Sequence, residues 1–98
     1  NVMLHLLDLS DNKHFFKNLN RNTNIFQKLI SFKTLFLANL SIENFEMLAI
    51  HDYINLVNLN MSVNKIHYIK SNYFNLTIVL ATLDLSHNRI EFIEKNSF

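Results

Sequence analysis

Glycine, proline, cysteine and tryptophan are all absent from these 98 residues. Without cysteine the segment holds no disulfide, no zinc–thiolate centre and no thiol nucleophile. Without glycine it holds no phosphate-cradling loop and no G-x-S-x-G elbow, because both need backbone that a Cβ would obstruct. Charge of one sign is lacking too. Nine basic residues stand against eight acidic ones, the net charge is +1, and no basic run forms a footprint for nucleic acid. The longest weakly polar stretch, Asn72 to Leu83, is too short and too interrupted to span a bilayer. The chain opens on Asn1 and lacks the basic and small-residue pattern of a signal peptide. It therefore reads as an internal piece of a longer protein, with no membrane segment.

What is plentiful is apolar surface, at 49% of residues, and asparagine, at sixteen. The apolar share is enough for a core. Asparagine tolerates positive φ better than other residues bearing a Cβ, so a glycine-free chain can make its tight turns with Asn; mutational bias in the source genome is the alternative reading of the asparagine excess.

One phrase recurs. LDLSDNKH starts at Leu7, LNMSVNKI at Leu59 and LDLSHNRI at Leu83. The last two starts lie 24 residues apart, and the gap of 52 before them divides into 28 and 24. A hidden copy is thus expected near residue 31 or 35, and LFLANLSI stands at Leu35 to Ile42. It keeps the apolar positions but carries Leu40 where the others carry Asn12, Asn64 and Asn88. The rows Leu4, Leu7, Leu9, Asn12; Phe32, Leu35, Leu37, Leu40; Leu56, Leu59, Met61, Asn64; and Leu80, Leu83, Leu85, Asn88 spell L-x-x-L-x-L-x-x-N-x-L.

The spacing has a physical reading. Apolar residues in L-x-L alternate, so they share one face of a short strand. The Asn side chain both donates and accepts, so Asn12, Asn64 and Asn88 can satisfy backbone groups where the strand turns. Leu40 cannot, and its turn is expected to be locally distorted and satisfied otherwise, by Asn39 or water. Ile66 with Ile69, and Ile90 with Ile93, return apolar surface to the core, and Phe74 and Phe98 close each unit from the far side. One unit cannot bury this surface alone, so its neighbours must supply the core. Between the strands, Ile25, Phe26, Leu29 and Ile30, then Phe45, Leu48 and Ala49, recur at helical spacing and predict short helices. The returns of the last two units are expected to be looser.

This pattern resembles the leucine-rich repeat over the whole chain. The resemblance implies an α/β fold: a right-handed solenoid, a horseshoe fragment with a parallel concave β-sheet and short helical or irregular convex returns. It implies about four repeats, 4–31, 32–55, 56–79 and 80–98, with no caps. The 24-residue unit with Asn at the turn and Phe near the end is similar to the typical extracellular class, as in Toll-like receptor ectodomains and chaoptin-type adhesion proteins. The function implied is non-catalytic recognition of a protein ligand or co-receptor by an innate-immune or developmental receptor at the cell surface. A cell-adhesion protein and an intracellular cytoplasmic scaffold of the same repeat are the alternatives.

Binding residues are expected on the concave face: Asp8, Asp11, Lys33, Phe36, Asn58, Asn60, Asp84 and His87, with Phe36 as the one large exposed aromatic. The sequons at Asn75, Asn39 and Asn60 are candidate glycosylation sites, Asn75 first. No catalytic residue, metal or cofactor is expected. The five histidines share no ligand spacing, and an open wet sheet offers little desolvation to shift a pKa. Uncovered unit faces at the two ends are expected to favour self-association.

Overall fold

The computed structural model describes residues 5–14, 32–43, 55–74 and 79–97. Six short strands lie within them: β1 Leu6–Asp8, β2 Thr34–Phe36, β3 Asn58–Asn60, β4 Tyr68–Ile69, β5 Thr82–Asp84 and β6 Phe92–Ile93. Four of them are the middles of the recurring phrases. They form one sheet in the order β1-β2-β3-β5, and β4 pairs with β6 in a second sheet of two. Every pairing is parallel. Parallel neighbours need a long crossover, and the 24- or 28-residue repeat supplies one. The result is a small α/β-like arrangement of parallel strands.

The register is that of the phrase. Leu7 lies opposite Leu35, Leu35 opposite Leu59 and Leu59 opposite Leu83. These four leucines form the inward row. Leu35 and Leu59 are fully buried, because each has a unit on both sides, whereas Leu7 and Leu83 have one neighbour and are half-buried. The same bond recurs as the chain leaves each strand: Leu9 N–H donates to Phe36 O at 2.9 Å, Leu37 N–H to Asn60 O at 2.7 Å and Met61 N–H to Asp84 O at 2.9 Å. Pairing continues into the turns, where Asp11, Asn39 and Val63 N–H groups donate to Ala38, Ser62 and Ser86 carbonyls at 3.0, 3.1 and 3.0 Å.

The core lies in the second and third units, where Leu37, Leu40, Ile42, Leu56, Met61, Ile66, Ile69 and Tyr73 join the two central leucines. Ile66 and Ile69 return to it as the spacing predicts, and Phe74 packs against it. Ile93 does not; it is 54% exposed in β6, the outer strand of its pair. The return of the third unit is extended at β4, in keeping with a loose connection. The helices expected around Ile25–Ile30 and Phe45–Ala49, and Phe98, lie outside the described residues.

The turns are not made by the turn asparagines. Positive φ falls one residue earlier, at Asp11 (68°), Asn39 (56°), Val63 (54°) and His87 (54°), and again at Ser41 (59°) and Asn96 (67°). Only Asn39 and Asn96 among these are asparagine. Backbone pairing sets the conformation there, and the residue identity follows less strictly. Val63 is the costly case, because a β-branched side chain crowds the backbone in the left-handed region.

Candidate binding face

Each three-residue strand turns its first and last side chains away from the core. Pairing aligns them in two rows across the open face: Leu6, Thr34, Asn58, Thr82 and Asp8, Phe36, Asn60, Asp84. The first row is tied by side chains. Asn58 Nδ2 donates to Thr34 Oγ1 at 3.1 Å, and Thr82 Oγ1 donates to Asn58 Oδ1 at 2.6 Å. Asn58 is thereby committed to holding neighbouring strands as well as facing outward. Leu6 belongs to this face and is 50% exposed. The repeat pattern hides it, because leucine there suggests core, yet strict alternation from Leu7 points it outward.

The second row ends the strands. Asp8, Asn60 and Asp84 each accept, through Oδ1, the N–H two residues on, from Ser10, Ser62 and Ser86, all at 2.9 Å. This local Asx turn stops the ladder and bends the chain. Phe36 has no such acceptor. Its Ala38 N–H donates instead to Ser10 Oγ of the preceding unit at 3.0 Å. Asp84 also accepts Ser86 Oγ–H at 2.6 Å. The hydroxyl and the N–H of Ser86, with His87 nearby, hold the Asp84 carboxyl below its ordinary value, because all three favour the charged form.

Phe36 is half-buried, flanked by strands on both sides, and Phe92 on the second sheet is the more exposed aromatic at 60%. Asp8 and Asp84 are exposed at either side of the face, and Lys33, also exposed, lies just before β2. Asp11 and His87 are placed differently from the sequence-based expectation. Both occupy the left-handed position of the turn, at the edge of the sheet rather than on its face. Asp11 Oδ1 there accepts Asn39 Nδ2–H at 2.7 Å.

The turn asparagines work between units. Asn64, only 6% exposed, donates through Nδ2 to Met61 and Ser62 carbonyls of its own turn at 2.9 and 3.1 Å, and to Leu37 O of the unit before at 2.9 Å. Its Oδ1 accepts Leu40 and Ile42 N–H, both at 3.0 Å. Asn88 repeats the scheme, donating to Leu85, Ser86 and Met61 carbonyls and accepting Ile66 N–H at 3.0 Å. Asn12 bonds Leu9 and Ser10 carbonyls at 2.9 and 3.0 Å and is exposed. The turn at Leu40 is thus satisfied by Asn64 of the following unit, not by Asn39. Its backbone departs from the other turns at Ser41, whose counterparts Lys13, Lys65 and Arg89 have no positive φ.

Of the sequons, Asn60 lies on the open face with its Oδ1 engaged by Ser62 N–H, Asn39 is half-buried at the turn edge, and Asn75 lies outside the described residues. Among the described residues, no group of three His, Cys, Asp or Glu could hold a metal, and no helix is long and apolar enough to cross a membrane. No family model, no curated protein and no solved structure matches this chain.

Proposed function

We propose that the chain is a stretch of leucine-rich-repeat solenoid from an extracellular receptor ectodomain, a non-catalytic module that binds a protein partner on the open face of its four-stranded sheet. The observation that carries this reading is the row Asp8, Phe36, Asn60, Asp84, one side chain from each unit, aligned by register on a surface whose opposite side is the core. Phe36 offers apolar contact, and the carboxylates of Asp8 and Asp84 flank it one strand step away on one side and two on the other, about 5 and 10 Å. A partner that suits this row sets an apolar side chain between two basic ones. The groups are spread along a shallow wet surface, which favours recognition over catalysis.

Site-specific photo-crosslinking tests the face. A photoreactive side chain at Phe36 or Asn60 is expected to capture one partner, and one at His67 or Glu91 is not. Phe36→Ala combined with Asp84→Ala is expected to abolish capture from Asn60. Capture from His67 alone would move the contact off the sheet. Glycopeptide mass spectrometry of the native protein tests the compartment: occupancy at Asn75 or Asn39 supports a secreted parent, and bare sequons throughout would overturn it.

A further inference from the structure

Lysine and arginine are scattered in the sequence, but the repeat register gathers three of them. Lys13, Ser41, Lys65 and Arg89 occupy one position, two residues after the left-handed residue of each turn. A groove of about 420 Å³ runs along this turn edge, lined among others by Lys13, Lys65, Arg89, His87, Asn39 and Ser41. Among the described residues no carboxylate lines it. Lys13, Lys65 and Arg89 are all exposed, and among the described residues none of the three is held in an ion pair. Asp11, whose carboxylate bonds Asn39, and Glu43 and Glu91 stand near in sequence but outside the lining.

We propose that this edge is a second binding site, distinct from the open face, and that it takes a sulfated polysaccharide. The spacing argues for an extended ligand. Lys65 and Arg89 are one strand step apart, about 5 Å, and Lys13 is two steps beyond Lys65, about 10 Å. A single small anion cannot meet all three, whereas a polymer with anionic groups at intervals lies along the row. The lining argues for sugar rather than nucleic acid. Among the described residues it contains no Phe, Tyr or Trp on which a base would stack, while Ser41 and Asn39 offer a hydroxyl and an amide to sugar hydroxyls and sulfate oxygens. Sulfate keeps its charge at every physiological pH, so binding is governed by salt.

Heparin fragments are the probe, with the full chain produced free of N-glycans; a glycan found on Asn39 of the native protein would fill the same groove and overturn the site while leaving the open-face reading intact. Titration calorimetry is expected to show binding that weakens as salt rises. Lys65→Ser with Arg89→Ser copies the residue already present at Ser41 and is expected to lower affinity at least about tenfold through two lost charge-assisted contacts. Lys70→Ser with Lys95→Ser removes equal charge elsewhere and is expected to leave affinity within about twofold. Lys13→Ser, on the outermost unit, gives an independent second loss should the first pair disturb folding, which circular dichroism reports. Equal losses from both charge-matched pairs would reduce the effect to net charge and overturn the site. So would absence of binding to heparin, or tighter binding of a single-stranded oligonucleotide of the same charge.

Discussion

Asn64 Oδ1 accepts the backbone N–H of Leu40 at 3.0 Å, and in doing so supplies an acceptor to the turn of the one unit that lacks its own asparagine. Two of the second unit's departures from the repeat, Phe36 and Leu40, fall where its strand ends and turns. Ala38 N–H is served by Ser10 on one side, and on the other Asn64 gives the second unit the inter-unit bonds that Asn88 gives the third, with Leu40 N–H in addition. Leu40 is itself buried, so the unit exchanges a polar turn for apolar core and relies on its neighbours for polar satisfaction.

The first prediction follows from this reliance. Asn64→Ala strands the N–H groups of Leu40 and Ile42 and the carbonyl of Leu37 in a buried place. Each unsatisfied buried group costs about 1–3 kcal/mol, so a loss of about 3 kcal/mol or more is expected. Asn12→Ala, at an exposed turn that bonds only its own carbonyls, is expected to lose no more than about 1 kcal/mol. Urea unfolding of the two variants measures the difference, and equal losses would refute the inter-unit role.

Val63 sits at φ 54° with its side chain 47% exposed. Its packing is therefore modest while its backbone is strained, by about 1–3 kcal/mol for a residue in this region. Asn39 adopts the same conformation at the equivalent position. Val63→Asn is expected to raise stability by about 1 kcal/mol, read as a higher urea midpoint at unchanged slope. A lower midpoint would mean that Val63 packs more than its exposure implies.

Much of the sheet was legible in the sequence because L-x-L spacing and buried register are the same information. The inward row is apolar, and a one-residue slip would expose it. The hidden second unit was legible for that reason, despite its missing Asn. The open face of the sheet was legible only in part. Asp8, Phe36, Asn60 and Asp84 follow from alternation, whereas Leu6 bears no polar group that sets it apart from the core leucines beside it. Asp11 and His87 went to the edge because the turn begins one residue earlier than the asparagine suggests. The basic groove was invisible, since Lys13, Lys65 and Arg89 are isolated in the chain and meet only after pairing. Compensations such as that of Ser10 are also beyond a linear reading, because a serine hydroxyl bears no mark of which N–H it will serve.

Acid sensitivity should carry the signature of Asp84. Its folded pKa lies below the ordinary 3.8, chiefly through the Ser86 hydroxyl and N–H, so ionised Asp84 adds stability above that pH. The contribution is lost as pH falls from about 4 through the lowered folded value, where the unfolded chain takes up the proton first. Asp84→Asn keeps an acceptor for Ser86 N–H, as Asn60 does for Ser62, but cannot titrate. Urea midpoints of the variant are expected to lie below those of the parent chain near neutrality and to converge with them below about pH 4, so that the variant's acid limb is the shallower one. Parallel acid limbs would remove Asp84 from the account.

Ser10 and Phe36 are expected to be energetically coupled although their side chains play unlike parts. The N–H of Ala38 needs an acceptor where the second strand ends. Ser10 Oγ provides it at 3.0 Å because a phenyl ring at position 36 cannot. Ser10→Ala alone should therefore lose about 1 kcal/mol, the worth of one part-buried hydrogen bond. Phe36→Asp would restore the Asx turn seen at Asp8, Asn60 and Asp84, giving Ala38 N–H a local acceptor. In that background Ser10→Ala should lose almost nothing. A double-mutant cycle by urea unfolding reads the difference as a coupling energy of about 0.5–1 kcal/mol. Additive effects would show that Ser10 contributes through packing alone, and that the second unit ends its strand without help from the first.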